Sequence, residues 1–599
     1  MPLRQALVDV RVLRLSLFAA LLAAVTAWVA QGLILLINGV TNLAFYGRWS
    51  TDFTSPALHH LGWWVLVVPV VGGVIVGLMA RFGSAAIRGH GIPEAMEQIL
   101  TNDSRIPLRM TFLKPLSSAI AIGSGGPFGA EGPIIATGGA MGSVLGQVLK
   151  VTAVERKALL AAGAAAGMAA IFNAPMSAVL LAIELLLFEL KPRSLIPVVV
   201  AVLVATTLRQ MINGALPVFA SGPIPFASPA SLPAYALIGM VVGLASVGVT
   251  RAVYAVEDAF QTLPIHWMWW PAIGGLAVGL IGYAYPDTLG VGYSNIDHII
   301  QGRWGALTLA TLMLAKFTSW VIALGSGTSG GTLAPLFTIG GAMGGLLGLL
   351  LQMVWPMWHV HPGMAALVGM AAMFGGASRA VLTSVLFVFE TTGQASTLLP
   401  LMAGCGLAYL VSCLAMRTTI MTEKITRRGI HVPSEYAADY LEQIQVAQAC
   451  TQPATCLFAQ DSVASTRDWF NSSLPQASHQ GYPVVDEQGR LLGVVTRRQV
   501  QDPKVPNEAS LLSLLNRAPL AVTPQHSLRQ AADHMVEADV GRLVVVDPVR
   551  TDQVLGILTR GDLLKAQLIP LNQARHVMRT MSTNALDRWM GRAKWTRHL

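Results

Sequence analysis

The sequence predicts an all-α, polytopic membrane domain with related halves and broken helices, followed by a smaller soluble α/β region. Three observations carry this. Hydrophobic residues make up 53% of the 599 positions and charged residues 12%, where soluble domains carry roughly 25% charged; mean hydropathy is +0.56. Many of the apolar stretches are too short, or too interrupted by Gly and Pro, to cross a bilayer whole. A long segment of the first half recurs 202 positions later. A single soluble globular domain is excluded by composition alone.

The net charge of +9 fits basic residues gathered in cytoplasmic loops better than a nucleic-acid surface, because charges are so sparse overall. Cys405, Cys413, Cys450 and Cys456 show no CxxC spacing, so neither a zinc site nor a disulfide framework is expected.

Along the chain, Arg4, Arg11 and Arg14 precede an apolar run from Leu15 to about Val40. The run is longer than the roughly 7–15 residues of a signal-peptide core, so it reads as a first transmembrane helix with a cytoplasmic start. Further apolar stretches cover about 61–80, 110–122, 133–149, 157–189, 194–208, 232–250, 268–284, 306–324, 335–355, 363–375, 380–390 and 398–416. Helices that stop inside a membrane persist only where protein or a wet cavity surrounds their ends. After Met416 the composition changes. Arg417, Lys424, Arg427 and Arg428 form a basic cluster, and from about 430 the chain reads as soluble α/β.

The internal repeat is explicit. GAEGPIIATGGAMGSVLGQVL from Gly129 matches GTLAPLFTIGGAMGGLLGLLL from Gly331; NAPMSAVLLAIE (173–184) matches RAVLTSVLFVFE (379–390), and GHG (89–91) matches GVG (290–292). Ordered matches over this span indicate duplication, with repeats at about 60–215 and 265–420. Duplicated membrane halves place substrate at their interface, where helix N-termini can face an anion.

Three loops have that character: GHGIPE (89–94), GAEGP (129–133) and GTLAP (331–335). Glycine lets successive N–H groups converge, and proline suits the first turn of the next helix. Unpaired N–H groups and the positive end of the helix dipole then hold an anion without a lysine. No Gly-Lys-Ser/Thr follows, so these are not nucleotide P-loops.

At these residues the chain resembles the CLC chloride channels and chloride/proton antiporters. GHGIPE is similar to the family's GSGIPE, GAEGP to G(K/R)EGP and GTLAP to GxFxP, and FNAP (172–175) extends the likeness. The resemblance implies an all-helical membrane domain of inverted-topology repeats, a homodimer with one pore per subunit, and chloride as the transported ion. It implies anion binding by His90, Gly91, Ile92, Pro93, Gly129, Ala130, Gly132, Thr332, Leu333 and Met421, with Glu131 as the gate. A carboxylate in an apolar membrane segment is costly and so a functional candidate in its own right. No catalytic residue, metal site or nucleic-acid partner is expected.

The chain departs from the family pattern in four places. His90 stands at a serine position and Met421 at a tyrosine position, so two hydroxyl donors are missing. Leu333 replaces an aromatic. Leu185 stands where the antiporters carry an inner proton-transfer glutamate, with Glu189 one turn beyond as a substitute or a solvated helix end. His90 reads either as a titrating anion ligand or as a neutral ring bonded to backbone. Glu184 and Glu390, at matching repeat positions, suggest a shared structural task such as binding backbone N–H groups.

In the soluble region, HQGYPVVDEQGRLLGVVTRRQV (479–500) and VGRLVVVDPVRTDQVLGILTRGDL (540–563) share one pattern, with a helix-like segment over 527–537 before the second. They resemble a tandem pair of CBS domains. Thr559 and Asp562 match that family's adenine-nucleotide site, while Gln499 replaces the acid in the first copy. A nucleotide sensor and a structural dimer module both remain open.

The expectation is therefore a homodimeric, multi-pass protein of the cell (inner) membrane with both termini cytoplasmic. Domains are expected at 1–430, 431–505, 506–570 and a basic tail at 571–599. The leading function is a chloride or small-anion channel gated by Glu131 and regulated by the CBS pair; the missing acid at Leu185 favours passive conduction. A proton-coupled anion antiporter is the alternative, and a CBS-regulated divalent-cation channel the distant one. Fluoride, nitrate and bicarbonate stay open as ions. It is not read as an enzyme.

Overall fold

The computed structural model describes residues 9–219, 222–433 and 440–566; the expected tail at 571–599 lies outside the described residues. The chain divides into two compact units, Leu7–Tyr436 and the remainder after it.

In the first unit, seven helices among the described residues are long and apolar enough to cross a bilayer. Helix α1 (Val10–Tyr46) is capped by Asp9, which accepts from the N–H of Val12, and ends at Gly47 with φ 64°. Leu13, Leu17, Leu21, Val25 and Trp28 form an exposed apolar stripe along it, while Leu15, Ala19, Leu22 and Ala23 are buried. A helix apolar on both faces needs lipid on one of them.

The first half then runs α2 (Val67–Leu78), α3 (Ile92–Thr101), α4 (Met110–Gly123), α5 (Glu131–Val148), α6 (Ala153–Phe172), α7 (Pro175–Leu181) and α8 (Pro192–Asn213). Helix α9 (Leu232–Gln261) connects the halves. The second comprises α10 (Trp270–Ala284), α11 (Tyr293–Ile300), α12 (Ala306–Gly325), α13 (Leu333–Val354), α14 (Pro362–Ser378), α15 (Val381–Thr392) and α16 (Leu398–Ala415), before the short α17 (Glu423–Arg427). The apolar stretch expected as continuous over 157–189 is broken. Asn173 adopts φ 52° and closes α6, and Pro175 opens α7. Arg379, with φ 63°, makes the same break between α14 and α15.

The halves meet through reciprocal contacts, as a two-fold axis requires. A Cβ on Gly73 would strike the Pro271 carbonyl, and one on Gly275 would strike that of Pro69. Glu184 accepts from the N–H groups of Leu382 (3.1 Å) and Thr383 (3.0 Å) and from the Thr383 hydroxyl (2.6 Å). Glu390 does the same for Met176 (2.8 Å), Ser177 (2.9 Å) and the Ser177 hydroxyl (2.6 Å). Each half thus caps the N-terminus of a helix in the other, the shared structural task expected of this pair. Buried Lys114 donates to the carbonyls of Ile87 and Gly89; its repeat mate Lys316 donates to those of Thr288 and Gly290.

The second unit holds two three-stranded sheets of one topology. In each, a two-residue strand pairs parallel with the central strand, which pairs antiparallel with the third: β1 (Leu457–Phe458), β2 (Gly481–Val485), β3 (Leu491–Thr496), then β4 (Ala521–Val522), β5 (Arg542–Val546), β6 (Val554–Thr559). The helix expected over 527–537 runs Leu528–Glu537 and is capped by Ser527. The cores refine the division expected near 505. Ile444 and Val446 pack with Val522, Leu528 and Leu543 of the second copy, and the N–H of Thr451 donates to the Ile557 carbonyl. The segment after 440 therefore completes the second domain, because that sheet's core needs its apolar side chains.

Candidate functional site

Four glycine loops converge where the halves meet. Gly89 and Gly91 both take φ 95°, and their repeat mates Gly290 and Gly292 take 67° and 79°, a backbone that L side chains rarely adopt. The loop before α3 is fixed by Gly89, whose N–H donates to the Thr328 carbonyl (3.1 Å). The loops before α5 and α13 form an antiparallel bridge: Gly129 N–H to the Gly331 carbonyl (3.3 Å), and Gly331 N–H to that of Gly129 (3.0 Å). Repeat-related residues thus pair with each other directly, and the N-termini of α5 and α13 come together.

Glu131 is the first residue of α5 and 1% exposed. Its Oε1 accepts from the N–H of Ala334 (3.0 Å), and the N–H groups of Glu131 and Leu333 also face the carboxylate. Its Oε2 is buried without a hydrogen-bond partner. The side chain curls back over its own loop, so that a Cβ on Gly129 would overlap both carboxylate oxygens. The carboxylate therefore occupies a cradle of helix N-termini suited to a free anion.

The other expected ligands gather around it. Ala130, Gly132, Thr332 and Leu333 are buried beside the bridge. Gly91 packs onto the Gly132 carbonyl, and Gly132 onto that of His90. Ile92 and Pro93 open α3, whose Glu94 accepts from the Gly91 N–H (2.7 Å) and pairs with Lys424 (2.9 Å). His90 is 6% exposed; its ring faces the Ile420 carbonyl, while Nδ1 is buried without a partner. Met421 is buried, its N–H bonded to the Thr419 hydroxyl (3.2 Å), so the chain after α16 joins the loop before α3.

On the other side of this segment a cavity of about 890 Å³ is lined by Glu184, Leu185, Arg379, Thr418, Thr419 and Thr422 among others. Glu189 is not among its lining residues. It accepts from the Ser194 hydroxyl (2.8 Å) and pairs with Lys191 (3.4 Å) and Lys157 (3.9 Å), so it is engaged at the entry to α8.

One residue at the cradle escaped the sequence reading. Tyr293 opens α11 directly after GVG, in the repeat position of Ile92. Its hydroxyl is buried without a hydrogen bond and lies near the Ala130 N–H, at the start of α5. Extending the GHG/GVG match by one residue would have found it.

In the second unit, the Asp562 Oδ2 accepts from the N–H (2.9 Å) and hydroxyl (2.7 Å) of Thr559. Gln499 Oε1 accepts the same pair of bonds from Thr496 (2.8 and 2.7 Å). Acid and amide both cap the helix that follows the third strand, a capping-box role.

The family model for the voltage gated chloride channel matches residues 71–413, and that for the CBS domain matches 476–502 and 512–569. The chain is 29% identical over 357 residues to a putative chloride channel protein, ClcB-like, of Ralstonia nicotianae, covering 59% of this chain and 83% of that one. It is 31% identical over 339 residues to the H(+)/Cl(-) exchange transporter ClcA of Vibrio cholerae, covering 54% and 70%. Its fold is similar to the crystal structure of a slow cyanobacterial Cl-/H+ antiporter, with a TM-score of 0.63 and 23% identity, covering 69% of this chain and 98% of that one.

Proposed function

Because the chain belongs to the voltage-gated chloride channel family, with tandem CBS domains, we propose that it moves chloride across a membrane in exchange for protons. Glu131 is the group on which the two ions compete. The observation that carries this reading is the Glu131 carboxylate seated on the N-termini of α5 and α13, with Oε1 bonded and Oε2 free. Anion and carboxylate cannot share the cradle. A proton on Oε2 removes the negative charge that holds the side chain there, so protonation favours anion entry and anion entry favours protonation, as linkage demands. The exchange transporter among the relatives supports this reading over the channel expected from Leu185 alone.

The anion is held by the loops bearing His90, Gly91, Ile92 and Pro93, by Gly129, Ala130 and Gly132, and by Thr332, Leu333 and Met421. The protein works as a homodimer in the cell membrane with cytoplasmic termini. The CBS pair regulates it, with Thr559 and Asp562 as the place for an adenine nucleotide.

Passive conduction is the second reading. It is favoured by the inner side of the pathway, where Leu185 is apolar and the carboxylates of Glu184, Glu94 and Glu189 are all engaged in caps or ion pairs. The full chain in liposomes decides between them. Exchange predicts that a pH gradient alone drives chloride against its own gradient and shifts the reversal potential; a reversal potential indifferent to pH establishes passive conduction.

A further inference from the structure

Three polar atoms are buried without hydrogen bonds around the cradle: Glu131 Oε2, His90 Nδ1 and the Tyr293 hydroxyl. Glu131 is the gate and His90 an expected ligand. Tyr293 has no role in either account.

Its placement is specific. Tyr293 is the repeat mate of Ile92, so the pseudo-two-fold axis puts it across the bridged loops from the His90 segment. Its ring packs edge-on against Phe172 (centroids 6.1 Å apart, 80° between planes) and Phe219 (5.7 Å, 68°), which fixes where the hydroxyl points. That hydroxyl lies near the Ala130 N–H, one residue before Glu131 at the start of α5. A phenol can accept from an amide and donate to an anion at once. A buried donor left unpaired is unfavourable, and an anion in the cradle would satisfy it. The positions that would otherwise offer hydroxyls, His90 and Met421, offer none.

We propose that Tyr293 is an anion-selecting residue whose hydroxyl donates a hydrogen bond to the anion that replaces the Glu131 carboxylate. The second repeat thereby supplies the hydroxyl that the first-repeat loop and the 421 segment lack. A short directional donor favours a compact monatomic anion such as chloride over thiocyanate, whose charge is spread over a longer frame. The proposal rests on the reading of the cradle as the anion's seat, and the experiment separates the two.

Chloride and thiocyanate binding are measured by calorimetry on the detergent-solubilised full chain carrying Glu131→Gln, alone and combined with Tyr293→Phe or Tyr293→His. Chloride binding to Glu131→Gln, tighter than to the parent, supports the seat; no binding there overturns the seat itself. On that background, Tyr293→Phe, which removes one oxygen, should weaken chloride about 5- to 10-fold, the scale of one hydrogen bond. Thiocyanate should change less, so that the preference between the two anions narrows. Tyr293→His, which restores a ring N–H donor, should recover part of the chloride affinity. Chloride binding that persists in Tyr293→Phe with unchanged affinity and unchanged preference overturns the role of Tyr293 and leaves the seat standing. Equal weakening of both anions with no rescue by His also overturns it, because a packing defect would act that way.

Discussion

Adding one methyl group to Gly129 should open the gate. In the structure, a Cβ at this position overlaps both Glu131 carboxylate oxygens, and Gly129 is not among the residues with positive φ, so alanine fits the backbone. The colliding atoms are the far end of a flexible side chain, so the least costly relief is for the carboxylate to swing out of the cradle. It then loses its bond from Ala334, 3.0 Å long. A hydrogen bond to a charged group contributes about 1.5–3 kcal/mol, which corresponds to a roughly 10- to 100-fold shift toward the open arrangement. Chloride efflux from liposomes at neutral pH should therefore rise in Gly129→Ala toward the rate reached at acid pH, and the acid stimulation should shrink. Combining Gly129→Ala with Glu131→Ala should give the rate of Glu131→Ala alone, because the methyl has nothing left to displace. Undiminished acid stimulation in Gly129→Ala would refute the reasoning, as would a double variant slowed as much as any damaged protein. Gly331→Ala is the contrast. Its Cβ would meet the Gly129 carbonyl and the Gly132 nitrogen, which are backbone and cannot rotate away, so loss of folded protein is expected.

The reciprocal caps predict matched stability losses. Glu184→Ala and Glu390→Ala each leave a pair of helix N–H groups and a hydroxyl unpaired, a loss of about 3 kcal/mol by the cost of charged hydrogen bonds and helix caps. Thermal unfolding in detergent should fall by similar amounts in the two; a deficit confined to one would sink the shared task. Of the two, only Glu184 lines the cavity of about 890 Å³, so a change in proton coupling in Glu184→Ala alone would mark a second role there. In the second unit, Gln499→Ala and Asp562→Ala should each remove a cap contributing about 1 kcal/mol. If adenine nucleotides bind, ATP, ADP or AMP should stabilise the full chain, and Asp562→Ala but not Gln499→Ala should abolish that stabilisation.

Much of this protein was legible in its sequence because the signals are local. Composition and apolar run length reveal a membrane domain, since lipid tolerates few charges. The match between Gly129–Leu149 and Gly331–Leu351 reveals the duplication, and Gly-rich loops ending in proline reveal helix N-termini, because the backbone requirement is written in residue type. One local reading needed correction, and one open choice was narrowed. Asn173 in the left-handed region breaks an apolar run that hydrophobicity alone makes continuous, and Glu189 is taken up by Ser194, Lys191 and Lys157.

What tertiary structure alone decided are contacts across roughly two hundred residues. No periodicity tells that Gly129 and Gly331 bond to each other, that Glu184 caps α15 while Glu390 caps α7, or that the Glu131 carboxylate bonds the N-terminus of α13. Tyr293 is the sharpest case. As a sequence position it is one aromatic opening an amphipathic helix, and only the two-fold meeting of the repeats brings its hydroxyl beside the Ala130 N–H at the start of α5. Local propensity sets where each helix begins. The folding of one half onto the other decides which beginnings face the same ion, because an anion site made of backbone dipoles exists only once several termini converge.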